Sequence, residues 1–167
     1  MISDEDREIS AAAGPLTVLN FDVVFQEVDT KNVAQGGTIE LCRASFSEVS
    51  GLEATMEPKV IKEGGRNFGV VQRVGPTTFA TVILKRGIST LDHLFRWYEL
   101  VAGGAYGKRM TATISMFTRR GPQAEMLYQW QLLRALPTKF KTADFNATAS
   151  AVGIEELHLA HEGLVRL

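Results

Sequence analysis

Few groups in this sequence could do chemistry: His93, His158 and His161, a lone Cys42, and carboxylates at Glu48, Glu53, Glu57 and Glu63. His158 and His161 stand three residues apart. That spacing suits two metal ligands on a helix but sends them to opposite faces of a strand, and "IEELHLAHEGL" reads as strand. Cys42 is distant, and no nearby acidic residue forms a recognised ligand set. The expectation is therefore no metal, a surface His158 and a hydrogen-bonded His161. A single cysteine excludes an intrachain disulfide and reads as a small buried apolar group. The glutamates interleave with Arg43, Lys59 and Lys62, which favours cross-strand or intersubunit ion pairs over acid-base work.

Other routes to catalysis are equally thin. There is no Gly-x-Ser-x-Gly elbow and no cysteine with a histidine close in sequence. "EGGRNFG" lacks the spacing and the strand-to-helix setting of a phosphate loop, and "AGGAYGKR" lacks the Lys-Ser/Thr ending. The basic pairs in "LKRG" and "TRRG" read as solvated turn charges. Catalytic residues, cofactor and metal are all expected to be none.

The elements that would position a site come next. The chain has 167 residues, enough for one domain with its own core. Apolar residues make up 45% and charged ones 22%, ordinary for a soluble globular protein. Eighteen Lys and Arg against nineteen Asp and Glu leave a formal net charge of -1, so the whole-molecule field nominates neither nucleic acid nor an anionic membrane. The start, "MISDEDREIS", is acidic and lacks the basic n-region and apolar run of a secretory signal. No run approaches the roughly 20 apolar residues that span a bilayer. These features predict no signal peptide, no membrane anchor and assembly in a reducing cytoplasm.

Residues 1–14 read as an acidic arm, mobile or partner-binding, and 15–167 as one domain. "FDVVFQEV" places Phe21, Val23 and Phe25 on one strand face, and "VDTKNVAQGG" has the composition of a loop. "SFSEVSGLEATMEPKVIKEGG" reads as strand, turn and strand, yet keeps no steady alternation. "EGGRNFG" and "RVGPTT" read as loops, with Pro76 fixing a turn. "FATVILKRG" is a strand with apolar residues on both faces. "ISTLDHLFRWYELVAGG" predicts the one strong helix, with Leu91, Leu94, Phe95, Tyr98, Val101 and Ala102 on one stripe, Ser89 capping it and Gly103-Gly104 closing it.

"RMTATISMFT" alternates cleanly, with Met110, Ala112, Ile114 and Met116 opposite Thr111, Thr113 and Ser115. "MLYQWQLL" runs back with Met126, Tyr128, Trp130 and Leu132 opposite Gln129 and Gln131, which makes a hairpin. Leu157 and Leu159 face inward near the end, with Glu156 and His158 outward. The sum is a mainly β fold of about seven or eight strands, an antiparallel β-sandwich or barrel with one flanking α-helix.

These blocks carry a resemblance. "FDVVF", "FSEVSGLEATMEPKVIKEGG", "VILKRG" leading into a helix with "FRWY", "TATISMF", "WQLLRALPTKF" and "AVGIEELHLAHEGL", in this order from about Leu16 to Leu164, resemble the tail tube proteins of contractile-tailed phages and of phage-tail-like extracellular contractile injection systems. The resemblance implies a non-enzymatic building block, a homo-hexamer whose rings join through inter-subunit β-sheet and stack into a hollow tube. It implies as partners a contractile sheath, baseplate or tube-initiator proteins, and cargo protein or DNA in the lumen. It also implies two hairpins that join those of neighbours, at about 38–63 and 109–133. Thr111, Thr113, Ser115, Gln129 and Gln131 would then line the channel, and Phe46, Glu48, Val49, Gly51, Leu52, Pro58 and Val60 would form the inter-subunit hairpin. Gly51 and Pro58 are candidate bend points.

Two departures from the simplest members, the acidic arm and the stretch 28–37, raise an alternative: a baseplate-proximal initiator ring of the same machine. A stand-alone binding or hydrolytic β-domain is the reading from another class, and it lacks a convergent set of catalytic or ligand residues.

Overall fold

A computed structural model describes residues 20–27, 40–62, 64–65, 68–89, 92–118, 125–143 and 153–167, with Asn20 and 40–45 described by backbone only. The arm at 1–14, the 28–37 loop and Leu91 lie outside the described residues. The chain forms β1 (Asn20–Glu27), β2 (Glu40–Ser45), β3 (Glu48–Ser50), β4 (Ala54–Ile61), β5 (Val71–Phe79), β6 (Val82–Gly87), α1 (His93–Ala102), β7 (Met110–Phe117), β8 (Met126–Lys141), β9 (Ile154–Ala160) and β10 (Gly163–Arg166). The described residues thus hold more strands than expected, because "VQRVGPTTF" is strand β5 with Pro76 inside it, not a loop fixed by a turn.

All pairings are antiparallel. The main sheet runs β2-β1-β7-β8-β9-β6-β3, with β10 also on β8. Its two ends, β2 and β3, are consecutive in sequence and joined by only Phe46 and Ser47. So short a link requires the sheet to curl until its ends meet, which gives a barrel-like closure and removes the edges of a flat sheet.

Strand periodicity fills the interior. Val23 and Phe25 of β1, Val82 and Leu84 of β6, Ala112 of β7, Leu132 of β8 and Leu159 of β9 are fully buried. The 16-residue β8 serves three strands, pairing β7 from Met126 to Ala135, β10 from Trp130 to Leu133 and β9 from Leu136 to Lys141. The change from β10 to β9 falls across Arg134, which has φ 52, uncommon for a residue with a side chain. Polar bonds hold it there: its Nε donates to Glu162 Oε2 at 2.7 Å, and Arg109 Nη1 donates to its carbonyl at 3.2 Å.

Helix α1 packs Leu94, Trp97 and Val101 inward. This shifts the expected stripe: Phe95 is exposed, and with Tyr98 it packs against Phe140 instead. Trp97 tilts onto Phe25 at 5.7 Å between centroids and donates its indole N–H to the Lys108 carbonyl at 2.9 Å. The cap also differs. Asp92, not Ser89, occupies the cap position, and its carboxylate accepts from Arg96 Nε at 2.8 Å rather than capping a backbone N–H. Gly103 and Gly104 close the helix as expected, their N–H groups donating to the Glu99 and Val101 carbonyls.

Candidate functional site

Two surfaces stand out on this frame, and neither resembles a catalytic centre. The first is a polar wall on the face of β7 and β8 that points away from the core. Thr113 lies opposite Gln131 and Ser115 opposite Gln129, and Gln129 Nε2 donates to Ser115 Oγ at 3.0 Å. Thr111, Thr113, Gln129 and Gln131 are half-buried and Ser115 is buried. Alternation on β7 dictates this: Met110, Ala112 and Ile114 enter the core, so the hydroxyls between them must face out. Sequence reasoning missed that β1 extends the wall. Asp22, Val24 and Gln26 lie opposite Ser115, Thr113 and Thr111, and their signal was the complement of the Phe21, Val23, Phe25 face. On the far side, Val165 of β10 lies opposite Gln131.

The second surface is a two-stranded ribbon, β4 with β5. It corrects the expected hairpin. The stretch Ser45–Gly65 does not fold back on itself; β3 and β4 are successive parts of one arm, and β6 and β5 form the returning one. At its root β3 pairs with β6, Glu48 opposite Lys85, while the rest projects as Ala54–Ile61 against Val71–Phe79.

The candidates named from sequence are therefore split. Phe46 is buried and meets Phe25 edge-on at 6.4 Å. Val49 and Leu52, half-buried, pack against the chain's own core. Glu48 accepts from Lys85 Nζ at 2.8 Å, a bond that holds the Lys85 ammonium above the ordinary lysine value of 10.5. Only Pro58 and Val60 of the set stand on the projecting part, where every residue of β4 is exposed.

Gly51 does bend the chain. It has φ +84, and a Cβ there would collide with the Thr81 carbonyl oxygen, so the two arms cross closely at the root of the ribbon. Pro58 lies beside a β-bulge in which Gly75 and Pro76 oppose Glu57. A Cβ on Gly75 would come within 2.6 Å of the Glu57 carbonyl oxygen. The bulge lets apolar residues share one face: Met56 lies opposite Thr77, Pro58 opposite Val74 and Val60 opposite Gln72. Val74 is 70%, Met56 55% and Val60 54% exposed. The other face carries Lys59 directly opposite Arg73. Val74 escaped sequence reasoning because the return strand was read as loop, and Met56 was passed over although it alternates with Pro58 and Val60 on β4.

The histidines gather no ligand set. His161 Nδ1 is hydrogen-bonded with the Gly163 carbonyl at 2.9 Å, and its ring packs against Phe79 at 5.2 Å. His158 is not a surface residue: it lies between Ile83 and Lys139 in the sheet, its Nε2 3.6 Å from Glu156 Oε2. Among the described residues no group of three or more His, Cys, Asp or Glu could hold a metal ion. A cleft of about 220 Å³ beside α1 contains His93, but the Lys108–Glu27 ion pair and Trp97 line it. No helix among the described residues is long and apolar enough to cross a membrane.

The model of the T4-like virus tail tube protein gp19 family matches residues 18–165. The chain belongs to that family. As a tail tube protein it is a structural tube subunit, and the baseplate-initiator alternative is not favoured. The tube family also accounts for the fold. The chain is 21% identical to a protein in the six-fold symmetrised baseplate of the anti-feeding prophage, with TM-score 0.74 over 93% of this chain and 97% of that one. It is 20% identical to one in the extended sheath-tube complex of the PVC extracellular contractile injection system, with TM-score 0.69 over 96% of each chain. It is likewise 20% identical to one in the extended PVC sheath/tube terminator, with TM-score 0.67 over 93% of this chain and 99% of that one. No curated protein matches the chain.

Proposed function

We propose that this tube subunit assembles as homo-hexameric rings that stack into a hollow tube within a contractile sheath, with Thr111, Thr113, Ser115, Gln129 and Gln131 facing the channel. The observation that carries this reading is the ribbon. An isolated two-stranded hairpin is marginal in water, and this one exposes Met56, Val60 and Val74 on one face. A face of that kind is completed by a neighbour. A ribbon received by a different surface of the neighbour makes a heterologous contact, the type that closes into rings or propagates as a filament.

The hydroxyls and amides of this wall wet readily, and neither they nor Asp22 and Val24 on its β1 side offer a positive charge to hold nucleic acid, which suits passage of cargo protein or DNA. The protein acts without catalysis or cofactor. The sheath-tube complex that contains a similar fold supports a sheath as partner, with baseplate proteins at the tube's end. The particle assembles in the bacterial cytoplasm and serves as a phage tail or extracellular injection device. The domain spans 15–167, and residues 1–14 form an arm outside it. Negative-stain microscopy of the purified chain is expected to show six-fold rings or tubes; a strictly monomeric species at high concentration refutes the reading.

A further inference from the structure

The ribbon's second face raises a separate problem. Lys59 and Arg73 are cross-strand partners, both exposed, and like charges directly opposite each other destabilise a β-ladder. Among the described residues neither has an ion-pair partner. Lys62 follows one residue past the strand, so the outer half of the ribbon is cationic. The chain has a matching segment of opposite sign, the arm "MISDEDREIS", in which Asp4, Glu5, Asp6 and Glu8 outweigh Arg7.

We infer that the acidic arm of one copy docks on the Lys59–Arg73 face of the ribbon received from its neighbour. This rests on the ring reading above and adds to it a partner for the arm. The ribbon projects roughly 25 Å at the usual rise per strand residue, which carries Lys59 and Arg73 away from their own body. Fourteen residues of extended arm reach at most about 50 Å, enough to cross to a neighbour. With the apolar face set against the receiving copy, the cationic face points outward, open to that copy's arm. Each exposed pair is weak and salt-screened, but a segment covalently joined to the receiving copy brings several weak pairs together at high effective concentration.

Carbodiimide coupling, which joins an ammonium to a carboxylate held in contact, tests this on assembled full-length protein built from mixed isotope-labelled and unlabelled copies. The expected product links a carboxylate of residues 4–8 to Lys59 of a different copy, and its yield falls as salt rises. Lys59→Glu with Arg73→Glu loses that product. Adding Asp4→Lys, Glu5→Lys and Asp6→Lys to that variant restores a coupling of reversed polarity, between the arm's new ammonium groups and the carboxylates introduced at positions 59 and 73. Rings that form without any arm-to-ribbon product, or with products only within one copy, overturn the inference and leave the ring reading standing. A chain that never assembles overturns both.

Discussion

Two hairpins of this molecule, β7–β8 and the β4–β5 ribbon, use similar residues to opposite ends. In β7–β8, Met110, Ala112 and Ile114 alternate with Thr111, Thr113 and Ser115, and the apolar set enters the chain's own core. In the ribbon, Met56, Pro58, Val60 and Val74 share a face just as clearly, yet β4 is exposed along its whole length. The first hairpin is complete within one copy, whereas the second leaves its apolar face exposed, which is why we propose it as half of a contact. Burial alone therefore does not follow from alternation; it depends on where the surface that meets the apolar face is encoded, in the same copy or in the next.

Substitutions that separate the two cases can be ordered by their effect on folding. Leu132→Ala empties a fully buried site on β8 and is expected to lower the unfolding free energy by about 3 kcal/mol in urea titration. A loss under about 1 kcal/mol would mean that this hairpin is not part of the core. Gly51→Ala forces a side chain into positive φ and against the Thr81 carbonyl. A cost of about 2 kcal/mol is expected by thermal melting, together with a misdirected ribbon and fewer rings. Unchanged stability would mean that the crossing at the ribbon's root is loose. Gln129→Ala removes the bond to Ser115 and should cost about 1 kcal/mol, with assembly kept.

The ribbon's root titrates at high pH. The Glu48 bond raises Lys85 above 10.5, so its contribution is present in full below that value and disappears as pH rises through the raised one. Wild type should lose its margin over Glu48→Gln only on the alkaline side; a margin lost at neutral pH would contradict that pairing. Smallest on folding is Val74→Asp, expected to move monomer stability by no more than about 0.5 kcal/mol while preventing ring formation in sedimentation. Rings that persist would place the apolar face outside any contact.

Much of this was legible in the residues. The β1 face, the β7–β8 hairpin, the inward Leu157 and Leu159 and the Gly103-Gly104 stop all follow from period and turn chemistry, because in each the partner surface lies in the same chain. The irregular Ser45–Gly65 was harder for a physical reason. Its first part, with Phe46, Val49 and Leu52, packs against its own core, while the part from Ala54 onward leaves it, so no single period could describe both. A bulge at Gly75–Pro76 then disguised the returning strand as loop. The helix stripe was misjudged by one position because Trp97, whose indole N–H finds the Lys108 carbonyl, can be buried where Phe95 is left exposed.

The central claim is that one copy is an unfinished object, closed around its core but open along its ribbon. Electron microscopy of the purified chain at high concentration tests it most directly. The account predicts six-fold rings, alone or stacked, with the polar wall of β1, β7 and β8 around a central channel. Particles that remain single copies under those conditions would contradict it.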